Sequence, residues 1–185
     1  MPISPFLPFR RELLLGVVSV LLLLAACSND DEVLSLTNDP TPIEDLQADD
    51  MVGSGVDVPF TTLDGGRSNF AVYAGSPLVI NFFARTCAPC VREMPEFEAV
   101  FQQQAGTVAF VGISTDPRIE DAAFLVEQTG VTYDLGWDPT AEVFAQLGGV
   151  VMPTTVFVDA AGVVRETWSG VLTAEELTAK IAEIT

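Results

Sequence analysis

The apolar positions beyond residue 50 form short continuous runs separated by helical spacings, which predicts an α/β chain. LVINFF, from Leu78 to Phe83, and TVAFVGI, from Thr107 to Ile113, are nearly continuous apolar runs. Runs of this length are typical of strands buried on both faces of a sheet. Between them a helix with a kink at Pro95 is predicted. Its apolar residues recur at helical spacing, at Val91, Met94, Phe97, Val100 and Phe101.

Turn and helix-start signals predict the elements on either side of these strands. The stretch VPFTTLDGGRSNF, from Val58 to Phe70, predicts two short strands around an Asp64-Gly65-Gly66 turn. A helix is predicted over residues 116–128, which begin with aspartate and proline, a capping residue and a favoured first helical residue. Residues 139–147 also begin with proline and predict a shorter helix.

The C-terminal part of the chain predicts a hairpin followed by a helix. Residues 154–168 contain two strand-like segments around a turn. The helix is predicted to begin at Thr173, because Glu176 can complete a capping box there. Leu172 and Leu177 are placed as a hydrophobic staple. Strands that alternate with helices and then close with a hairpin predict an α/β sheet with mixed strand directions.

The N-terminus has the pattern of an export signal. Arg10 and Arg11 precede an apolar segment from Leu13 to Ala26, and its fourteen residues are too few to span a bilayer as a helix. The following LAAC sequence resembles the lipobox of bacterial lipoproteins. Cys27 is therefore predicted to carry a lipid as the first residue of the mature chain. An ordinary cleaved signal, a retained anchor and a twin-arginine export route remain alternatives.

Charge and composition divide the chain into three parts. Residues 1–26 are predicted as a lipoprotein signal peptide, residues 27–50 as an acidic disordered tether and residues 51–185 as one domain. Without the signal peptide the chain keeps 6 basic and 25 acidic residues. Such a negative field repels nucleic acid and anionic surfaces, which argues against DNA and RNA as partners. We expect a monomer anchored by its lipid to the extracytoplasmic side of a bacterial membrane.

Two cysteines are the candidate reactive groups. Cys87 and Cys90 enclose Ala-Pro at the predicted start of a helix. Free N–H groups and the positive end of the helix dipole stabilise a thiolate there, so Cys87 is predicted to be the nucleophile and Cys90 the resolving cysteine. A purely structural disulfide is the alternative. No metal or other cofactor is expected, because the chain has no histidine and no second cysteine pair.

Together these features resemble the thioredoxin superfamily, and within it the membrane-tethered TlpA/ResA-like thiol-disulfide oxidoreductases. The resemblance spans residues 58–184. It rests on the strand that leads into C-x-P-C, on Pro95 eight residues after the first cysteine, and on MPTTVFVD before a hairpin and a final helix. It implies a thioredoxin-like fold with a central mixed sheet flanked by helices, an N-terminal β-hairpin and a family-type insert over residues 114–149.

The resemblance also assigns four residues to substrate binding. Pro153 matches the superfamily's cis-proline, and Met152 before it is expected to line the substrate groove. Pro89 and Thr86 adjoin the cysteines, and Thr86 stands where family members commonly carry tryptophan. For Pro153, an ordinary trans proline at the start of a strand is the alternative.

Two further positions concern the proton of the resolving thiol. Glu93 lies three residues after Cys90, where ResA-like members have a glutamate, and the resemblance implies that it manages the Cys90 proton. A solvated helix carboxylate without a role is the alternative. Asn81 stands where thioredoxin itself has an aspartate.

The expected function is reduction of disulfides in extracytoplasmic client proteins, for example in cytochrome c maturation, with a membrane thiol protein as electron donor. Two other classes remain open. A thiol peroxidase of the peroxiredoxin group places threonine or serine three residues before its reactive cysteine, where this chain has Ala84 or Cys87. A non-catalytic lipoprotein that uses the fold only for binding would have an unreactive disulfide.

Overall fold

The computed structural model describes residues 53–104 and 106–185. The predicted signal peptide, the acidic tether and Cys27 lie outside the described residues. The strands are β1 (Pro59–Thr62), β2 (Arg67–Asn69), β3 (Leu78–Phe83), β4 (Ala109–Ser114), β5 (Asp134–Trp137), β6 (Thr154–Val158) and β7 (Val164–Ser169). The helices are α1 (Ala88–Gln104), α2 (Ile119–Thr129), α3 (Glu142–Gln146) and α4 (Ala174–Ile184), with a 3₁₀ turn at Phe70–Tyr73. None of these described helices combines the length and hydropathy needed to cross a bilayer.

The strands form one mixed sheet in the order β2-β1-β5-β4-β3-β6-β7. β3, β4 and β5 run parallel to one another, whereas β6 is antiparallel to β3 and β7 is antiparallel to β6. Parallel neighbours need a crossover connection, and α1 and α2 provide it between β3, β4 and β5. The mixed sheet with flanking helices and an N-terminal β1–β2 hairpin confirms the predicted fold class.

β3 lies in the interior of the sheet, between β4 and β6, and all six of its residues are buried. Successive side chains of a strand point to opposite faces. Val79 and Phe83 accordingly join one core cluster, whereas Ile80 and Phe82 join the other. Packing on both faces therefore fixes the carboxyl end of β3, which leads directly to the cysteines.

Three helices contribute to the core cluster that contains Val79 and Phe83. Their inward side chains are Met94 and Phe97 of α1, Leu125 of α2, and Leu177 and Ile181 of α4. The cluster on the other face includes Phe70 of the 3₁₀ turn and Leu147 after α3. The helix that begins at the cysteines is thus packed beside α4 in the core cluster on one face of the sheet.

The predicted start of the last helix is confirmed. The Glu176 N–H donates to Thr173 Oγ1 at 3.3 Å, and the Thr173 N–H donates to Glu176 Oε2 at 2.8 Å, which completes the capping box. Leu172 and Leu177 are fully buried in the same cluster, as the staple requires. α1 also continues as a helix through Pro95.

The helix predicted over residues 116–128 begins later, at Ile119. Asp116 does not cap it, because the buried carboxylate of Asp116 has other partners. It accepts the Arg85 N–H at 3.0 Å and the Ser114 hydroxyl at 2.9 Å. Asp116 therefore ties the end of β4 to the segment that precedes the cysteines.

The short helix predicted over residues 139–147 is also shorter than expected. α3 begins at Glu142, after Ala141 in the left-handed region with φ of 58°. The Asp138 carboxylate accepts the Glu142 N–H at 3.0 Å and the Phe144 N–H at 2.9 Å. The N-cap position is Ala141, and the Asp138 side chain, before Pro139, supplies the acceptors for N–H groups in the first turn.

β5 was not predicted from the sequence. It is four residues long and includes Gly136, so it lacks both length and a run of β-branched residues. Its neighbours define it: β5 pairs with β4 in parallel and with β1 in antiparallel fashion. A Cβ atom at Gly136 would collide with the side chains of Ile113 and Phe60, so glycine is required for this close approach.

Candidate active site

The carboxyl end of β3 delivers Cys87 to the N-terminus of α1. The Cys87 N–H donates to the Ala84 carbonyl at 3.0 Å in the intervening turn. The Cys87 carbonyl accepts the Val91 N–H at 3.2 Å, which makes Cys87 the capping position of the helix. The Cys90 N–H points to Cys87 Sγ at 3.3 Å. The sulfur of Cys87 therefore occupies the place where a helix terminus favours negative charge.

Cys87 and Cys90 form a disulfide, with their Cα atoms 5.3 Å apart. Cys87 is half-buried, whereas Cys90 is fully buried. Pro89, between them, lies in the first turn of α1, where its missing N–H leaves no helical hydrogen bond unmade. A protein partner can therefore reach the sulfur of Cys87 from outside, while that of Cys90 faces the core.

The Met152–Pro153 peptide bond is cis, as predicted. Pro153 is buried directly before β6, and its carbonyl accepts the Gly170 N–H at 2.9 Å. Met152 is half-buried and contacts both core clusters. The residues before it, Val150 and Val151, are 72% and 57% exposed. An exposed apolar surface thus adjoins Met152 and Pro153, two of the predicted substrate-binding residues.

An open groove brings Cys87 and Met152 together. We call it the Cys87 groove. Its lining comes from the end of β3, the start of α1, the segment after β4 and the segment before β6. The lining residues are Ala84, Arg85, Thr86, Cys87, Ala88, Pro89, Thr115, Asp116, Pro117, Asp121, Val151 and Met152. The four predicted substrate-binding residues fall in or beside this groove, since Pro153 follows Met152 directly.

A charged wall on one side of the Cys87 groove was not predicted. Arg85 and Arg118 both bind the carboxylate of Asp121, and the Arg85 guanidinium lies 4.3 Å from the centroid of the Phe124 ring. The hydrogen bonds from Arg85 and then Arg118 lower the pKa of Asp121. Arg118 directly precedes α2 and pairs with Asp121 within the same stretch of chain, whereas Arg85 comes from the β3–α1 turn, so only the tertiary fold brings Arg85 to this pair.

Glu93 is a buried residue of α1, one helical turn after Cys90. Its side chain is 1% exposed, so the solvated-carboxylate alternative is wrong. Oε1 accepts the Asn81 amide at 3.1 Å and Oε2 accepts the Leu172 N–H at 3.3 Å. Burial raises the pKa of Glu93 to about 7, against these two hydrogen bonds, which lower it, and the nearby negative charge of Glu96 raises it further.

The structure thus brings Cys87, Cys90, Glu93 and the Met152–Pro153 pair to one end of the sheet. Thr86, in the place of the family tryptophan, is exposed at the rim. Cys27 lies outside the described residues. Within residues 53–104 and 106–185 no cluster of His, Cys, Asp and Glu has the arrangement of a metal site.

Comparison with known proteins places this geometry in a family. The model of the AhpC/TSA family matches residues 52–167, more than half of the chain. The chain belongs to the AhpC/TSA family. Among curated relatives, the thiol-disulfide oxidoreductase ResA of Geobacillus thermodenitrificans is 27% identical over 171 residues, 91% of this chain and 93% of the relative. The thiol:disulfide interchange protein HelX of Rhodobacter capsulatus is 29% identical, over 69% of this chain and 67% of the relative.

Solved structures agree with this assignment. The structure of MTB DsbF superposes with a TM-score of 0.66 at 27% identity and covers 70% of this chain and 96% of its own. A DsbF homologue from Corynebacterium diphtheriae gives a TM-score of 0.64 at 28% identity, over 70% of this chain and 85% of its own. The chain is therefore a thioredoxin-like enzyme of the thiol-disulfide oxidoreductase class.

Proposed function

We propose that this protein reduces disulfides of client proteins outside the cytoplasm, through the Cys87–Cys90 pair. The observation that carries the proposal is the difference between the two sulfurs. Cys87 is partly exposed in a groove at a helix N-terminus, and Cys90 is buried behind it. This arrangement suits an entering nucleophile and a protected resolving thiol.

The proposed exchange takes place in two steps. In the reduced enzyme the Cys87 thiolate attacks one sulfur of a client disulfide, a Cys87–client disulfide forms, and the other client sulfur leaves as a thiolate. Cys90 then loses its proton and attacks Cys87 Sγ. The mixed disulfide breaks, the second client thiolate leaves, and the Cys87–Cys90 disulfide remains. Two electrons pass to the client, and a membrane dithiol protein must supply them again.

Glu93 is proposed to take the proton of Cys90 in the second step. The two residues are one turn apart on α1 and both are buried, so they share its inward side. A carboxyl group with a pKa of about 7 can both accept and return a proton near neutral pH. No cofactor takes part in this scheme beyond the disulfide itself.

The Cys87 groove is the proposed client site. Val151 and Met152 supply apolar contact beside Cys87, and Thr86 leaves the sulfur less enclosed than a tryptophan would. The TlpA/ResA resemblance supports a reducing direction and clients in cytochrome c maturation. The LAAC sequence supports lipid attachment at Cys27 and an extracytoplasmic location.

The decisive experiment traps the mixed disulfide. Reduced Cys90→Ser is expected to accumulate covalent complexes with disulfide-bonded clients, because the resolving thiol is absent. Cys87→Ser, the matched control with the buried thiol retained, is expected to trap few. Equal trapping by both variants would contradict the assigned order. Turnover of hydrogen peroxide with no trapped client would support the thiol peroxidase alternative, and a disulfide inert to dithiothreitol would support the binding alternative.

A further inference from the structure

Asn81 is a buried polar residue in the middle of an otherwise apolar strand. It is 1% exposed, and every other residue of β3 is a buried apolar one. Its Nδ2 group donates to Glu93 Oε1 at 3.1 Å and lies 3.4 Å from Thr155 Oγ1, on the residue directly opposite in β6. Its Oδ1 atom is buried and has no hydrogen-bond partner among the residues that the structure describes.

A buried acceptor without a partner destabilises a fold, so an apolar residue would serve packing in β3 better. The orientation of the amide explains what the residue does instead. With Nδ2 toward Glu93, the amide can only donate to the carboxylate, and a donor stabilises the ionised form.

We propose that Asn81 is a positioning residue for Glu93, the enzyme's proton carrier. The side-chain amide of Asn81 holds the Glu93 carboxylate in place and in its ionised form, one helical turn after Cys90. This inference rests on the proposed function in one respect, the use of Glu93 in resolution. The interaction between Asn81 and Glu93 itself can be tested without any client.

Among the described residues, the other groups around Glu93 do not supply a second side-chain donor to its carboxylate. The Leu172 N–H, from the segment between β7 and α4, holds the other carboxylate oxygen. Glu96 on α1 is negative, and the Tyr133 phenol before β5 is buried and neutral, its own pKa raised mainly by burial and further by Glu98 and Glu93. Within the described ranges no lysine or arginine forms an ion pair with Glu93. Asn81 is therefore the side-chain donor that opposes burial.

The test follows the Glu93 carboxyl directly, by its side-chain ¹³C resonance in the full-length reduced protein as the pH is raised. Asn81→Leu keeps the size of the residue and removes the donor, and the midpoint of the Glu93 titration is expected to rise by about one pH unit. Thr155→Val is the matched control. It removes the other partner of the same amide on the same pair of strands and is expected to move the midpoint much less.

A second measurement needs no substitution. In the wild type, the side-chain amide protons of Asn81 are expected to shift with the same midpoint as the Glu93 carboxyl. A midpoint unchanged in Asn81→Leu, an equal change in Thr155→Val, or an Asn81 amide that does not respond to the Glu93 titration would each overturn the proposal. If Asn81→Leu does not fold, the amide titration still decides it.

The rate of resolution separates this inference from the proposed function. If Glu93 accepts the Cys90 proton, Asn81→Leu is expected to release the mixed disulfide about fivefold more slowly at pH 7 and to recover at pH 9. A shifted Glu93 titration with an unchanged release rate would support the role of Asn81 and contradict the role proposed for Glu93.

Discussion

Cys87 and Cys90 are chemically identical side chains three residues apart, and they differ in exposure and in their place on α1. We expect iodoacetamide at mildly acidic pH to label Cys87 of the reduced protein much faster than Cys90. Cys87 is accessible and its sulfur faces the helix N-terminus, whereas Cys90 is fully buried. Peptide mass spectrometry measures both rates, and the unfolded protein, in which both thiols are accessible, is the control. Faster labelling of Cys90 would remove the proposed order of attack.

Glu93 predicts a specific dependence of stability on pH. Its pKa is about 7 in the folded protein, against an ordinary value of 4.5 for a solvated glutamate, so the folded state binds this proton more tightly than the unfolded chain. The resulting stabilisation is present below pH 4.5 and is lost as the pH rises through 7. Between pH 4.5 and pH 7 the free energy of unfolding of the wild type is therefore expected to fall by up to about 3 kcal/mol because of Glu93.

Glu93→Gln removes the titration and is expected to remove this loss, so the variant gains stability relative to the wild type as the pH rises. Urea unfolding of both oxidised proteins at pH 4.5 and pH 8 measures the difference. An equal difference at both pH values would show that the pKa of Glu93 is the same in the folded and unfolded states, and would contradict this prediction.

At the scale of the elements, Asp116 joins the end of β4 to the turn between β3 and α1. Its buried carboxylate accepts the Arg85 N–H and the Ser114 hydroxyl. Asp116→Ala leaves both donors without this partner, and we expect a loss of about 2 kcal/mol in the free energy of unfolding.

Asp121→Asn is the control on the same side of the Cys87 groove. It weakens ion pairs with Arg85 and Arg118, whose side chains are 46% and 69% exposed, and we expect a smaller loss of stability than for Asp116→Ala because solvent screens these pairs. Urea unfolding compares the two variants. If Asp121→Asn lowers the free energy of unfolding more than Asp116→Ala does, the ion pairs of Asp121 and not the buried carboxylate of Asp116 stabilise the turn.

At the scale of the whole molecule, the predicted anchor and the active site belong to different parts of the chain. All residues that form the Cys87 groove and the Glu93 contacts lie between 81 and 172. Cys27→Ala is therefore expected to lose membrane association and to keep its rate of disulfide exchange. Cell fractionation and an insulin reduction assay measure the two properties, and Cys90→Ser is the control that stays in the membrane and loses turnover. A Cys27→Ala protein that remains in the membrane would show that the apolar segment is a retained anchor.

The amino-acid sequence by itself determined the features that depend on neighbours along the chain. The apolar run of β3, the capping box at Thr173 and the cysteines at the start of α1 are short-range patterns, and the structure confirms each of them. The order of the predicted strands and helices indicated an α/β mixed sheet, and C-x-P-C and MPTTVFVD carried the resemblance that implied a thioredoxin-like fold.

Only the tertiary structure decided which distant residues meet. β5 exists through its pairing with β4 and β1, and Asp116 binds Arg85, 31 residues away in the sequence, instead of capping α2. The Glu93 site joins α1 to β3 and to the segment before α4, through contacts 12 and 79 residues apart. Such contacts leave no periodic trace in the sequence. The burial that raises the pKa of Glu93 arises only when the sheet and the helices pack around it. The residues along the chain could not distinguish this glutamate from a surface carboxylate. The fold makes it a group with a pKa of about 7.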